Sequence, residues 1–436
     1  MKSKTIDEIN EKIANGKANI FTSQELKELI REDSTPNFDE VDVVTCGTCG
    51  IMSGTAAIFH LDVFEPGLFK KAKNVYLNGV AGFAGPCPNE WLGSIDTIVY
   101  GTSHSKDDNS YGGGFLFKDI VEGKDIAIEV ESTDGEHYSS LITIEDMPTA
   151  QMIGTRMAFK NYTSFVNPSK DPVSSIFNAV AMEGNFKSFS FSGCGEINPL
   201  QNDLKQNTVI AGSKVLLNGS SGLVIGNGTR SSEVKPNFML TADMHQMEGK
   251  FLGGYKTAEG PEVFTSVAIP IPVLDEKILN QLMILNHDIP LPIADIRGRH
   301  LPISETTYEK VWNNFDERPI FHINDCIHCA NCLVEERCPT FAFTTVENDN
   351  NQNNKNVLDG SNGREKNLDT EKCFGCGMCA YSCLGGAFEM NTGSVAITID
   401  DTIHNVPIAC RQSDIKRAKS LTSKLKDMIE INEFKL

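Results

Sequence analysis

The sequence predicts an α+β protein in two parts, a large mixed α/β domain over residues 1–305 and a small cysteine-rich domain over residues 316–436. Three observations predict it. Eight of the thirteen cysteines fall in two runs near the C-terminal end. Ahead of them, short apolar β-type segments alternate with glycine turns and a few helical stretches, without a repeated strand–helix rhythm. At 436 residues and 40% hydrophobic content, the chain can also bury more than one core.

The first run is Cys326-Ile327-His328-Cys329-Ala330-Asn331-Cys332, followed by Cys338-Pro339. The second is Cys373-Phe374-Gly375-Cys376-Gly377-Met378-Cys379, followed by Cys383. A C-x2-C-x2-C triplet places three thiolates around one cubane, and the fourth ligand crosses to the other cluster, as in two-cluster ferredoxins. The spacing therefore assigns Cys326, Cys329, Cys332 and Cys383 to one [4Fe–4S] cluster, and Cys373, Cys376, Cys379 and Cys338 to a second. Zinc favours C-x2-C pairs and fits two triplets badly. Between the runs, residues 346–367 are rich in Asn, Asp, Gly and Lys and read as a surface insertion.

A formal net charge of −19 argues against nucleic acid or an anionic membrane as the main partner. There is no apolar run of about 20 residues to span a bilayer. The start lacks the apolar stretch of a secretory signal. With eight cysteines in cluster spacing, a reducing cytoplasm is the expected compartment.

In the large domain, residues 1–35 read as two short amphipathic helices, the second opened by a Thr22/Glu25 capping box. Val41–Val44 reads as a strand running into a Cys46-Gly47-Thr48-Cys49-Gly50 turn. Strands are expected at 75–77, 95–100 and 126–130, with a glycine-rich loop at 79–88 that carries Cys87. A helix is expected from Met147-Pro148 through Tyr162, with Arg156 and Lys160 on one face. Phe189–Phe191 reads as a strand entering a turn at Gly193-Cys194-Gly195. Further short strands fall at 209–210, 214–217, 223–225 and 263–270, with Asn-Gly turns at 218–219 and 227–228. Residues 275–286 and 414–431 read as helices, the last packing across the chain.

Four cysteines stand outside the runs beside glycine or proline: Cys46, Cys49, Cys87 and Cys194. A free cysteine is most often a small buried hydrophobe. Four in such loops suggest a sulfur-handling centre, either a third [4Fe–4S] cluster with an open iron or a persulfide pair. Cys46-x-x-Cys49 alone also fits a redox pair or a zinc half-site. Cys410 reads as packing. Arg156, Lys160, Arg230, Arg297, Arg299 and His300 are candidates to hold an anionic substrate, with internal ion pairing as the alternative. His104 and His245 are candidate proton donors.

The stretches Asp42–Thr48, Tyr111–Gly114, Gly154–Tyr162 and Ile293–His300 resemble the homocysteine-biosynthesis family of methanogens, which includes the L-aspartate semialdehyde sulfurtransferases. With a two-cluster ferredoxin fused behind, the chain resembles the methanogenesis marker 16 metalloproteins. The resemblance implies reductive thiolation of an aldehyde: sulfide adds, water leaves and two electrons complete the thiol. The chain departs from the aspartate semialdehyde branch at Cys49, where that branch has Phe, and at Ser132–Tyr138, where it carries a cysteine. These departures and the fused ferredoxin make sulfoacetaldehyde, giving coenzyme M, the leading substrate. Aspartate semialdehyde, giving homocysteine, is the alternative. A non-catalytic iron–sulfur carrier or assembly protein is the second.

The implied roles are Arg156 and Arg230 on the substrate anion, sulfur held by the Cys46/Cys49/Cys87/Cys194 group, and His104 protonating the departing oxygen. The implied partners are a small anionic aldehyde, sulfide or another sulfur donor, and an external electron donor. A homodimer is compatible with the sequence.

Overall fold

In the computed structural model, the described residues are 2–85, 90–160, 163–298, 301–347, 364–399 and 401–436. Mixed sheets dominate: one of fourteen strands, one of six, and two short pairs. Helices are few and mostly short, and none of the described ones is long and apolar enough to cross a membrane.

Near one edge of the large sheet, Val43–Ile51 pairs antiparallel along its whole length with Gly260–Pro272. Its other edge takes Ile20–Thr22 in parallel. The two N-terminal helices form at Ile6–Ala14 and Ser23–Arg31. Glu25 N–H donates to Thr22 Oγ1 at 3.1 Å, and Thr22 N–H to Glu25 Oε2 at 2.7 Å, closing the capping box. The final helix, Ile415–Glu430, lies flat on the sheet with Leu421, Leu425 and Ile429 against Val43, Leu216 and Ala268. That close approach explains Gly47, since a Cβ there would stand 2.6 Å from Thr422 Cγ2 and 2.9 Å from the Ala418 carbonyl.

The six-stranded sheet runs in the order Pro302–Thr307, Pro290–Asp295, Ser164–Val166, Phe189–Phe191, Thr402–Arg411, Ser394–Ile399. Both cysteine runs thus sit on an excursion between Thr307 and Ser394, after which the chain returns. Thr402–Arg411 then lies parallel to Phe189–Phe191. The base of the Asn-rich insertion is closed by the antiparallel pair Phe343–Glu347 and Arg364–Leu368; residues 348–363 lie outside the described set.

Several local expectations are corrected. The helix expected over 147–162 is instead the strand Thr149–Met157, paired with Phe238–Asp243 on one side and Thr55–Asp62 on the other. Its side chains alternate between buried and partly exposed up to Arg156, and β-branched Thr149, Ile153 and Thr155 favour that pleat. Arg156 and Lys160 therefore share no helical face. The expected Cys46–Gly50 turn is the continuation of strand Val43–Ile51. The 79–88 loop begins as a strand, Val80–Ala84. Residues 209–210 form no strand, and Asn227-Gly228 opens a longer connection to Phe238.

Candidate functional site

In an extended strand side chains alternate faces, so positions 46 and 49 point to opposite sides of the sheet. Cys46 packs with Leu26, Leu200 and Leu282. Cys49 packs on the other face with Cys194, Cys410, Tyr255, Ala418 and Cys376. This excludes the Cys46-x-x-Cys49 redox pair or half-site. Cys194 sits in the turn after Phe189–Phe191, between Gly193 at φ 108° and Gly195 at φ 58°, a left-handed conformation that glycine tolerates. Its Sγ lies 3.6 Å from the Cys49 carbonyl oxygen. Burial pushes the thiol of Cys194 up to about 11 and that of Cys46 up to about 12, and raises Cys49 as well. All three are protonated at neutral pH in this arrangement. Cys87 lies outside the described residues.

Residues 410–414 tie this thiol group to the second cysteine run. Arg411 N–H donates to the Cys376 carbonyl at 2.9 Å, and Asp414 N–H to the Cys49 carbonyl at 3.0 Å. Cys410 is buried, as expected of packing, and its Sγ is 3.1 Å from the Tyr255 hydroxyl. The Tyr255 ring meets Phe374, between Cys373 and Cys376, edge-on at 5.0 Å.

Cys338, Cys373, Cys376 and Cys379 together line one cavity, with Pro319, Phe343, Leu368, Phe374 and Met378 among its other walls. Among the described residues no three His, Cys, Asp or Glu side chains converge on a single point. Backbone N–H groups point at sulfur here, Ala342 at Cys338 (3.2 Å) and Gly375 at Cys373 (3.4 Å). Four thiols around an apolar hollow with donors aimed at sulfur fit a [4Fe–4S] cluster. Cys326, Cys332 and Cys383 pack together against Val334, Ala387 and Phe388, and Ala387 N–H donates to Cys383 Sγ at 3.4 Å. With Cys329 they form a half-buried outer set.

The basic candidates divide into two places. Asn198, four residues after Cys194, donates its Nδ2 to the Phe159 carbonyl at 2.7 Å, and Gln201 Nε2 donates to the Lys160 carbonyl at 2.5 Å. Arg156 stacks over Phe159 at 4.8 Å, and Thr229 N–H reaches the Thr155 carbonyl at 2.8 Å, which brings the Arg230 turn to the same end. Arg297 is elsewhere, in a hollow with Ser174, Ser175 and Glu259. Arg299 and His300 lie outside the described residues. His104 is exposed and packs on Gly260, six residues before the Ser266 that pairs with Cys49. At about 3.3 Å per residue that is roughly 20 Å along the strand, out of reach of a centre at Cys49. His245 is held by Asp243 (2.7 Å) and the Met147 carbonyl (2.9 Å), a structural role.

Lys27 was not foreseen as a site residue. It is fully buried on the Cys46 face, donating to Asn202 Oδ1 at 2.9 Å and to the Leu282 carbonyl. Burial lowers its pKa from 10.5 to about 8, against the opposing pull of Cys46. Between those values the unfolded chain carries a proton that the folded chain has released. This lysine therefore costs stability below pH 8, and the cost of about 3 kcal/mol is relieved as pH rises toward 10.5. Buried Cys46 acts oppositely above its ordinary value of 9.0. From pH 8 to 9 the wild-type melting temperature should gain on that of Lys27→Met, measured in one buffer series. Parallel curves would remove the assignment.

The chain matches the family described as "homocysteine biosynthesis enzyme, sulfur-incorporation" over residues 18–436, and it belongs to that family. It is 50% identical to an uncharacterized protein of Methanothermobacter thermautotrophicus, covering 98% of this chain and 94% of that one. It is 44% identical to an uncharacterized protein of Methanocaldococcus jannaschii, over 96% and 98% of the two chains. The L-aspartate semialdehyde sulfurtransferase of the same organism is 31% identical over 70% of this chain and 62% of its own length. No solved structure matches.

Proposed function

We propose that the chain catalyses reductive thiolation of a small anionic aldehyde, with sulfoacetaldehyde as substrate and coenzyme M as product. Aldehyde, hydrogen sulfide, two electrons and two protons give thiol and water. The observation that carries this reading is the Cys194 turn. It touches the Cys49 strand on one side, leads into the residues that hold Lys160 on the other, and is linked through residues 410–414 to Cys376. When bound, [4Fe–4S] clusters at Cys326/Cys329/Cys332/Cys383 and at Cys338/Cys373/Cys376/Cys379 would supply one electron each. Arg156, Lys160 and Arg230 receive the substrate's anionic end. Hydrogen sulfide held between Cys194 and Cys49 adds to the carbonyl carbon, the carbonyl oxygen leaves as water, and two electrons and two protons reduce the resulting thioaldehyde to the thiol. The buried Tyr255 and Cys410 keep water from the space between the thiols and Cys376.

The aspartate semialdehyde reading is supported by the name of the 31% identical relative. Anaerobic protein is to be given sulfide, a low-potential reductant and either sulfoacetaldehyde or aspartate semialdehyde, with products read by mass spectrometry. 2-Mercaptoethanesulfonate in the first arm is the expected result. Homocysteine alone would transfer the assignment to the second substrate. No thiol in either arm, with iron and sulfide passing to an apo-acceptor, would make the chain a cluster carrier.

A further inference from the structure

Arg411 carries a buried charge that makes no ion pair among the described residues. It follows apolar Ile408, Ala409 and Cys410 and is 0% exposed. Its guanidinium donates to two backbone carbonyls, Asp316 at 2.6 Å and Asn391 at 3.2 Å, and lies over the rings of Trp312 and Phe315 at 5.2 and 5.7 Å. Its Nε has no hydrogen-bond partner among the described residues. Of the nearby carboxylates, Glu317 pairs with Lys419 at 2.6 Å, and Asp316 accepts from the Asn391 N–H at 2.6 Å and is exposed, so its charge reaches Arg411 screened by solvent. A buried cation facing carbonyls and rings is costly unless a counter-charge lies close.

The backbone N–H of Arg411 donates to the Cys376 carbonyl at 2.9 Å, and the Cys376 thiol is the foremost charge partner of the guanidinium. Two further guanidiniums flank the same thiols. Arg318 clasps Asp414 at 2.8 and 3.0 Å, and Arg417 pairs with Asp414 while donating to the Cys373 carbonyl at 2.7 Å. Three guanidiniums against one buried carboxylate leave positive charge around the inner set, offset in part by exposed Asp316. Four thiolates on a doubly positive iron–sulfur cube would leave two negative charges for it to oppose. At the outer set the neighbouring arginine, Arg337, is part-exposed and contacts Ser382 at 3.4 Å, and His322 is spent on Glu389 at 2.8 Å.

We propose that Arg411 is the counter-charge of a cluster held by Cys338, Cys373, Cys376 and Cys379, making this inner set the higher-potential one. One-electron reduction adds a negative charge to a cluster, and a fixed buried cation stabilises the reduced form. Electrons from an external one-electron donor then enter at the half-buried Cys326/Cys329/Cys332/Cys383 set, which is reoxidised as the inner set is reduced. They leave inward, toward Cys49 and Cys194. Arg411 is a positioning residue for charge, not a catalytic one. The inference rests on cluster occupancy and not on the identity of the aldehyde.

The test is an anaerobic redox titration of the full chain, followed by electron paramagnetic resonance, on wild type, Arg411→Gln and Arg411→Lys. Iron is counted in each. Arg411→Gln should lower the reduction equilibrium constant of the more positive couple at least tenfold, a shift of about 59 mV for one electron, with the other couple unmoved. Arg411→Lys, which keeps the charge, should retain most of the potential. Unmoved couples, equal movement of both, or movement of the more negative couple alone would overturn the proposal. Should Arg411→Gln not fold, Arg318→Gln must move the same couple in the same direction, and an unmoved couple there is equally fatal. About eight irons per chain with unmoved couples would sink this inference alone. About four would also remove the two-cluster reading beneath it.

Discussion

A chain ended after residue 305 should be insoluble or molten, even though the large sheet lies almost wholly ahead of that point. The cut removes Thr402–Arg411, the strand beside Phe189–Phe191, and Ile415–Glu430, the helix covering the face that carries Cys49. Leu421, Leu425, Ile429 and Phe434 are each at most 2% exposed. At about 1.5–3 kcal/mol each, their burial is on the order of 10 kcal/mol, as large as the stability of a typical domain, about 5–15 kcal/mol. The cut would also bare Val43 and Ala268. Near-ultraviolet circular dichroism and dye binding on the truncated chain would check this. A cooperative melt at the wild-type temperature would show that the returning segments are dispensable.

Replacing Cys194 with Ala should cut thiol formation by a hundredfold or more, roughly the scale of losing one group that acts on the reacting atoms. Iron held by the eight cysteines proposed as cluster ligands should remain. Cys49→Ala should act through the same step, so the double variant should lose little beyond either single one, as residues working as a unit do. Cys46→Ala, on the other face of the strand, should combine independently with both. Turnover under saturating sulfide, with iron counted in every variant, separates these outcomes. Full activity in Cys194→Ala would end its assignment as a thiol that holds sulfide against the aldehyde. Additive losses in the Cys49 and Cys194 pair would end their joint role.

Features readable from the sequence were those encoded by local spacing. The Thr22/Glu25 box needs only an i,i+3 relation, and it forms as expected. Both N-terminal helices, the Phe189–Phe191 strand with its Cys194 turn and the last helix were legible for the same reason. The Thr149–Met157 strand was not. Glycine, methionine and two basic residues at helical spacing fit a helix as well, and strand neighbours from distant parts of the chain outweighed that propensity. The faces of Cys46 and Cys49 were hidden by the same error of type, since a turn would gather the two thiols and a strand separates them.

By itself, then, the sequence determined a mixed α/β protein, the Thr22/Glu25 cap, the turn at Cys194, the two triplets of cysteines and the resemblance to a sulfur-incorporating family. The tertiary structure alone decided which thiols meet: Cys49 with Cys194 and Cys410, and Cys338 with Cys373, Cys376 and Cys379 around one cavity. It also decided that Arg411 is buried with no ion pair among the described residues and that Lys27 stands beneath Cys46. Spacing along a chain constrains groups a few residues apart. Burial and charge balance depend on which remote segments pack together, and here the segment that returns after residue 394 brings Cys410, Arg411 and Asp414 to a site begun at residue 43.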